Sequence, residues 1–380
     1  MILVWPMSTG LGSFFFLHLP PFYCIIRKVQ QEIQERTLVK EWIAGKNEQD
    51  MRLSRFVENV TTGLPPSLLY KSFRNKRIKV NGKKAAPDLR LQEGDLIQLY
   101  LNDEFFQSPK PKQERKVSGR RLNVVYEDEG LAVLYKPPHV LCHSDRTGDD
   151  SLLDWFRAYL QEKGEYDPGQ ETTFAPAICN RLDRGTEGLV LAAKNYEVLR
   201  AVNELIRTDG IVKEYLTITC GVPPKGMHKA YLRHFEKNNK VQVSDTPREG
   251  FKEIITGVQI VRTAGPFALC RIELVTGRTH QIRAHLAHLG APVLGDIKYG
   301  SRKMNEKTGL KTQALCAVCV TFRPPAEGHV LAALSGKKIE LKEPDILHLM
   351  ERLEAQGKQP AKQQAKRTGK GKKEGFHGTL

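Results

Sequence analysis

From Arg52 onward, apolar residues recur at helical spacing. Arg52-Leu-Ser-Arg-Phe-Val57 opens an amphipathic helix that Leu64-Pro-Pro ends, and Ser67-Leu-Leu-Tyr-Lys-Ser-Phe-Arg-Asn-Lys76 predicts a second helix with Ser67 as its N-cap. The period then falls to two. Arg77-Ile-Lys-Val80 and the residues from Lys83 flank Asn81-Gly82, a dipeptide suited to a two-residue hairpin turn because both of its positions need positive φ, and Leu96–Tyr100 predicts the closing strand. Beyond Leu122, short apolar runs predict strands at Leu131–Leu134, Glu214–Thr219 and Ala268–Val275, with helices at Glu197–Thr208 and Thr279–Leu289. Short strands outnumbering helices predict an α+β fold with a mainly antiparallel sheet. The boundaries read as an extension over 1–49, helix-permissive at 27–50, a small domain over 50–101, a Pro/Lys-rich linker over 102–121, a large domain over 122–345 and a basic, largely disordered tail over 346–380.

Composition narrows the partner. The 380 residues carry a formal charge of +16, which calls for a polyanion, and no long basic amphipathic helix points to a membrane surface, so nucleic acid is the expected partner. No obligate protein partner is evident. Seven scattered cysteines, an odd number, point to a reducing intracellular compartment, cytoplasm or organelle. Cys316 and Cys319 are expected to face opposite sides of one strand, and His280, His285 and His288 lack the further ligands that a zinc site needs, so no metal or other cofactor is expected. The first 26 residues hold no Lys, Arg, Asp or Glu and are broken by Pro6, Pro20 and Pro21, which fits neither a secretory signal nor a spanning helix and leaves open, equally, part of an organelle-targeting segment or a wrongly assigned start of translation.

The chemistry concentrates in Asn180-Arg-Leu-Asp-Arg-Gly-Thr-Glu-Gly188, where Asp183 lies between Arg181 and Arg184 ahead of the apolar run Leu189–Ala193. Two adjacent guanidinium groups favour the charged form of the carboxylate, which can then act as a nucleophile or a base. On local composition alone, a turn stapled by salt bridges explains the segment more economically.

Three blocks in order change that balance. The segment at 180–188 closed by Ala193-Lys194, the upstream Tyr126-Glu-Asp-Glu-Gly-Leu-Ala-Val-Leu-Tyr-Lys-Pro-Pro-His139, and the downstream Gly277-Arg-Thr-His-Gln-Ile-Arg-Ala-His-Leu286 followed by Gly295-Asp-Ile-Lys-Tyr-Gly300 together resemble the RluA-type RNA pseudouridine synthases over about residues 122–325. Asn180 and Glu187 depart from the family's usual His and Ser. The resemblance implies a catalytic domain that isomerises uridine to pseudouridine in RNA without a cofactor. Asp183 would be the nucleophile, Tyr215 of Lys213-Glu-Tyr215 would pack on the uracil, and Arg283 would pair with the catalytic carboxylate. Arg181 would fill the place left by the flipped base. His143, Arg184, Thr186, His280, Gln281 and Leu286 would line the pocket, with Lys136 as a binding-loop cation. Residues 50–101 resemble the alpha-L RNA-binding domain, implying phosphate contacts from Arg52, Arg55, Lys71, Arg74, Lys76, Arg77 and Lys79. Ribosomal RNA is the favoured substrate by family analogy and transfer RNA the runner-up. The competing readings are a non-catalytic RNA-binding or ribosome assembly factor that keeps the fold, and a hydrolase that would release free uracil.

Overall fold

A computed structural model describes residues 39–106, 122–145, 148–169, 173–235, 239–323, 325 and 328–358. The apolar segment at the N-terminus, most of the linker and the basic residues after 358 lie outside the described residues. The chain divides into two compact units, residues 1–111 and 112–380.

In the first unit, strand β1 (Val39–Ile43), helices α1 (Leu53–Val60) and α2 (Pro66–Arg74), and strands β2 (Ile78–Val80), β3 (Lys83–Lys84) and β4 (Leu96–Tyr100) follow in chain order. The sheet runs β1-β4-β2-β3, antiparallel throughout. Asn81 and Gly82 join β2 to β3 with φ of 52° and 75°, the doubly left-handed turn that their sequence foretells. The Asn81 side chain also accepts the Leu96 amide and donates to Asp95, tying the turn to β4. Two expectations are corrected here. β1 belongs to the stretch read as a helix-permissive extension, because its backbone groups find partners along β4 from Val39↔Tyr100 to Ile43↔Leu96. Ser67 does not cap the second helix: Pro65 holds the cap position and Pro66 the first turn, where a missing N–H costs nothing.

The second unit is built on one sheet of β5 (Asn123–Glu127), β6 (Leu131–Lys136), β7 (Ala177–Ile178), β8 (Glu187–Ala193), β9 (Ile211–Cys220), β10 (Gly226–Phe235), β11 (Lys240–Ser244), β12 (Lys252–Ala264), β13 (Phe267–Leu274), β14 (Leu315–Phe322) and β15 (Lys338–Glu340). Its main path is β11-β10-β12-β13-β9-β14-β8-β6-β5. Every pairing is antiparallel except β8 with β14. The helices are α3 (Leu152–Glu162), α4 (Tyr196–Arg207), α5 (Gln281–His288), α6 (Arg302–Thr308) and α7 (Asp345–Lys358). The architecture is α+β.

Alternation along the strands sorts the core onto two faces. Ala132, Leu134, Val190, Ala192, Tyr215 and Ile272 pack with Trp155, Phe156 and Leu160 of α3 and with Ile282 and Leu286 of α5. On the other face, Leu131, Leu189 and Leu191 meet Val198, Val202 and Leu205 of α4, while Leu216, Ile218 and Leu269 meet Ile346, Met350 and Leu353 of α7. Central strands buried on both sides explain the uninterrupted apolar run from Leu189.

The tail expected from 346 is corrected accordingly, since its first turns form α7 and seal one face of the sheet. Cys316 and Cys319 are corrected too. The β9–β14 ladder shifts register between Ala317 and Cys319, and both cysteines join the apolar cluster under α7. Among the described residues, no helix is long and apolar enough to cross a membrane.

A chain ending at 344 loses Ile346, Met350 and Leu353 from the core and should be destabilised by about 4 kcal/mol or more, at about 1.5–3 kcal/mol for each buried side chain. A chain ending at 358 should keep the full-length urea midpoint. Equal midpoints for the two truncations would show that α7 contributes nothing to the fold.

Candidate active site

Asp183 lies on the turn that leads into β8, and every neighbour of that turn is tied down. Thr186 donates its amide to the Asp183 carbonyl at 3.0 Å. The Cys142 thiol accepts the Leu182 amide at 3.3 Å and faces the Leu182 carbonyl at 3.6 Å. Lys136, fully buried, donates to the carbonyls of Pro137, Val140 and Arg184 at 2.9, 2.8 and 3.2 Å, binding the Lys-Pro-Pro loop to the Asp183 turn. Burial brings its ammonium down to about 8, against the opposing pull of the nearby Cys142, Asp183 and Glu187. Gln313 donates to the Thr186 hydroxyl at 3.0 Å. Gly188 has φ of 115°, and a Cβ there would collide with the Ala317 backbone, so the glycine of Thr-x-Gly permits the close parallel approach of β8 to β14.

The flanking arginines are not the partners of Asp183. Arg184 turns outward to Asp149 at 2.9 Å, and Arg181 is exposed. The partner is Arg283, one hundred residues away in sequence, whose Nη1 donates to Asp183 Oδ2 at 2.7 Å. The rest of that guanidinium grips Asp296, with Nε to Oδ2 at 2.7 Å and Nη2 to Oδ1 at 2.9 Å. Asp296 is 1% exposed and also accepts the amides of Lys298 and Tyr299. Burial pushes the Asp296 carboxyl up, but these bonds outweigh it and leave it below the ordinary value. Burial opposes the charge on Arg283, yet Asp296 and Asp183 together raise its pKa. Asp296 lies in a block that sequence reading quotes without assigning it a role. Its signal is an aspartate held between Gly295, where a Cβ would strike the Thr312 backbone, and a tyrosine three residues on.

Around this chain of charges stand His280, Tyr299 and Tyr215. His280 Nε2 is 4.0 Å from Asp183 Oδ2, and its Nδ1 is 2.9 Å from the Tyr299 hydroxyl. The Arg283 guanidinium lies over the Tyr299 ring, 5.3 Å from its centroid. Tyr215 is buried on the α5 face of the sheet, and burial followed by the Asp183 charge raises the pKa of its phenol. Leu286 is buried in the same cluster, beneath the site. Gln281 faces Ile255, Thr256 and Thr276 rather than the pocket, and His143 is exposed beyond the Cys142 turn.

The two departures have local duties. Asn180 accepts the Leu191 amide at 2.7 Å, and Glu187 accepts the Tyr135 hydroxyl at 2.8 Å, so neither side chain is committed to Asp183. Among the described residues, no cluster of His, Cys, Asp and Glu could hold a metal ion. A fixed carboxylate with a buried counter-cation and a neighbouring aromatic suits covalent attack on an electrophilic carbon.

Residues 130–288, the span that carries Asp183, Tyr215, His280 and Arg283, match the RNA pseudouridylate synthases. That region is an RNA pseudouridylate synthase domain. Ribosomal large subunit pseudouridine synthase C of Salmonella typhi is 27% identical over 312 residues, covering 78% of this chain and 92% of that protein. An uncharacterized RNA pseudouridine synthase of Mycoplasma capricolum subsp. capricolum is 28% identical, covering 80% and 98%. Among solved structures, human RNA pseudouridylate synthase domain containing 4 is 22% identical with a TM-score of 0.48, covering 61% of this chain and 92% of that one.

In the first unit, Arg52, Arg55, Lys71, Arg74, Lys76 and Arg77 are exposed, while Lys79 is half-buried with its ammonium 4.8 Å from the Tyr100 ring centroid. Arg55 is paired with Glu58 at 3.3 Å, which partly spends its charge. Sequence reading finds no aromatic pair for base stacking there, yet Tyr70 is 51% exposed on the α2 stripe of Lys71 and Arg74.

Helix α5, which delivers Arg283, is seated by His285, whose Nδ1 meets Thr256 Oγ1 at 3.0 Å. Burial, followed by the charges of His228 and His288, lowers His285 from 6.5 to about 4. Its folded pKa is below the unfolded value, so the unfolded chain binds the extra proton first, and stability falls as pH drops from about 6.5 to about 4. The full loss is about 3 kcal/mol at 1.36 kcal/mol per pKa unit. A His285→Gln variant should unfold with a flatter pH dependence across that window; an unchanged slope in urea titrations at pH 6.5, 5.5 and 4.5 would remove His285 as its source.

Proposed function

We propose that this chain is an RNA pseudouridine synthase that isomerises specific uridines in ribosomal RNA, with Asp183 as the nucleophile. The observation that carries the proposal is the Asp183–Arg283–Asp296 chain, because a surface turn used only for binding has no use for a carboxylate held by a buried guanidinium and facing a phosphate-rich ligand. Ribosomal RNA is favoured by the names of the relatives. A base inside a stack must be flipped to reach the turn. Arg181, exposed beside Asp183, is suited to fill the gap, since a planar guanidinium stacks and donates together. Tyr215 would pack against the uracil, and Arg283 would orient Asp183. The basic face of the first unit would add phosphate contacts. Free cysteines throughout the described residues accord with a reducing compartment, cytoplasm or organelle.

Asp183→Asn keeps the size of the side chain and removes its nucleophilic charge. Pseudouridine formation, read by carbodiimide-based mapping of cellular RNA with the variant in place of the natural chain, should vanish while RNA affinity is kept. Arg283→Ala should reduce the rate by about 100-fold or more, as expected for a misplaced reacting group. Substantial turnover by Asp183→Asn would overturn the assignment.

The first unit gives a separate test. Replacing Lys71 and Arg74 with Gln should flatten the log–log salt dependence of RNA binding by about 1.4, at about 0.7 per phosphate contact on single strands. An unchanged slope in fluorescence anisotropy titrations would place the RNA on another face.

A further inference from the structure

We infer that His280 is a positioning residue for Asp183, holding one carboxylate oxygen together with Arg283 so that the other oxygen is presented for attack. This inference rests on the synthase reading. It starts from an unusual backbone. His280 occupies the N-cap position of α5 with φ of 55° and ψ of 17°, the left-handed region, and its side chain forms no capping hydrogen bond. A cap position favours Ser, Asp or Asn, and a left-handed position favours Gly. Histidine tolerates the left-handed region better than most side chains, but neither local demand requires it. The ring must therefore be kept for what it faces, as strained conformations persist where the surroundings impose them.

It faces Tyr299 on one side and Asp183 on the other. The Tyr299 oxygen already accepts the Val241 amide at 2.9 Å, so its proton is available to His280 Nδ1, 2.9 Å away. That network assigns the proton of the neutral ring to Nε2, the nitrogen 4.0 Å from Asp183 Oδ2. The ring stays neutral at physiological pH: burial, outweighing the pull of Asp183 and helped by Arg283 and Lys298, lowers it to about 4. It is thus a hydrogen-bond donor and not a second cation competing with Arg283.

Arg283 Nη1 also meets Oδ2, at 2.7 Å. Both donors converge on the same oxygen, and among the described residues no hydrogen bond reaches Oδ1. Catalytic hydrogen bonds are often long before substrate arrives and tighten when water leaves. Closure of Nε2–H onto Oδ2 would fix the rotation of the carboxylate and leave Oδ1 aimed outward.

The test uses the full chain and total RNA from cells lacking it, with pseudouridine formation followed in single turnover. His280→Gly accepts the left-handed backbone without strain, so its thermal midpoint should equal or exceed that of the natural chain, and its RNA Kd should stay within about twofold. Its rate at saturating enzyme should fall about tenfold to a hundredfold, the range expected for a misoriented nucleophile, and added imidazole should restore part of it. Tyr299→Phe should lose less, and the double variant should be no slower than His280→Gly. A natural rate in His280→Gly, or a loss confined to Kd or to the midpoint, would overturn the role. If the natural chain itself modifies none of that RNA, the synthase reading fails. The ring is then judged alone by nitrogen-15 NMR, where a proton on Nδ1, or an Nε2 signal that does not respond to Asp183→Asn, would overturn the geometry.

Discussion

The site depends on one buried guanidinium shared by two carboxylates of unequal standing. Taking Arg283 out of water is costly, and an ion pair inside a protein repays that cost only when its geometry is good and its remaining hydrogen-bonding groups are satisfied. Asp296 supplies the compensation through two near-parallel bonds and a pair of backbone amides. Its charge is committed to structure. Asp183 receives the one remaining Nη1 and keeps a quarter of its side chain exposed, enough to reach a ligand. The division of labour follows from burial: the deeper carboxylate neutralises the cation, and the shallower one is left accessible.

Such an arrangement tolerates little movement, and the fold restrains it from two directions. The Asp183 turn is fixed by Lys136, Cys142 and Gln313, which reach it from elements far apart in sequence, and by the close β8–β14 pairing that only a glycine at 188 permits. Arg283 comes from α5, whose apolar side sits in the same core cluster as Leu182 and Tyr215. Asp183 and its partner therefore rest on one packed body. A shift in α3 or α5 would be felt at the Asp183–Arg283 contact, because close-packed interiors transmit strain instead of absorbing it.

Much of this was legible in the chain, and the rest was hidden for identifiable reasons. The Asn81-Gly82 hairpin and the strands of the large sheet are local features set by φ preference and alternation. The ordered motifs supplied Asp183, Tyr215 and Arg283 by resemblance. What local reasoning got wrong was Asp183's partner: Arg181 and Arg184 are its neighbours in sequence, but Arg184 pairs with Asp149, Arg181 is exposed, and the contact that forms spans one hundred residues. The same blindness to distant pairing concealed β1, whose charged sequence gives no sign of a strand until β4 lies beside it, and α7, whose few apolar residues look sparse until they are counted on one face. The register shift that brings Cys316 and Cys319 together belongs to the β9 pairing and leaves no mark on either residue.

Asn180 and Glu187 depart from the family pattern without forming a hydrogen bond to Asp183. Each occupies a position next to the Asp183 turn where the family uses another residue, and each is absorbed by its own side of the fold. Asn180 accepts a strand amide through its side-chain carbonyl, and Glu187 sits half-buried against Tyr135 with its carboxyl raised by burial and only partly relieved by that hydroxyl. Neither side chain bonds to Arg283, which therefore keeps its two carboxylate partners, Asp183 and Asp296.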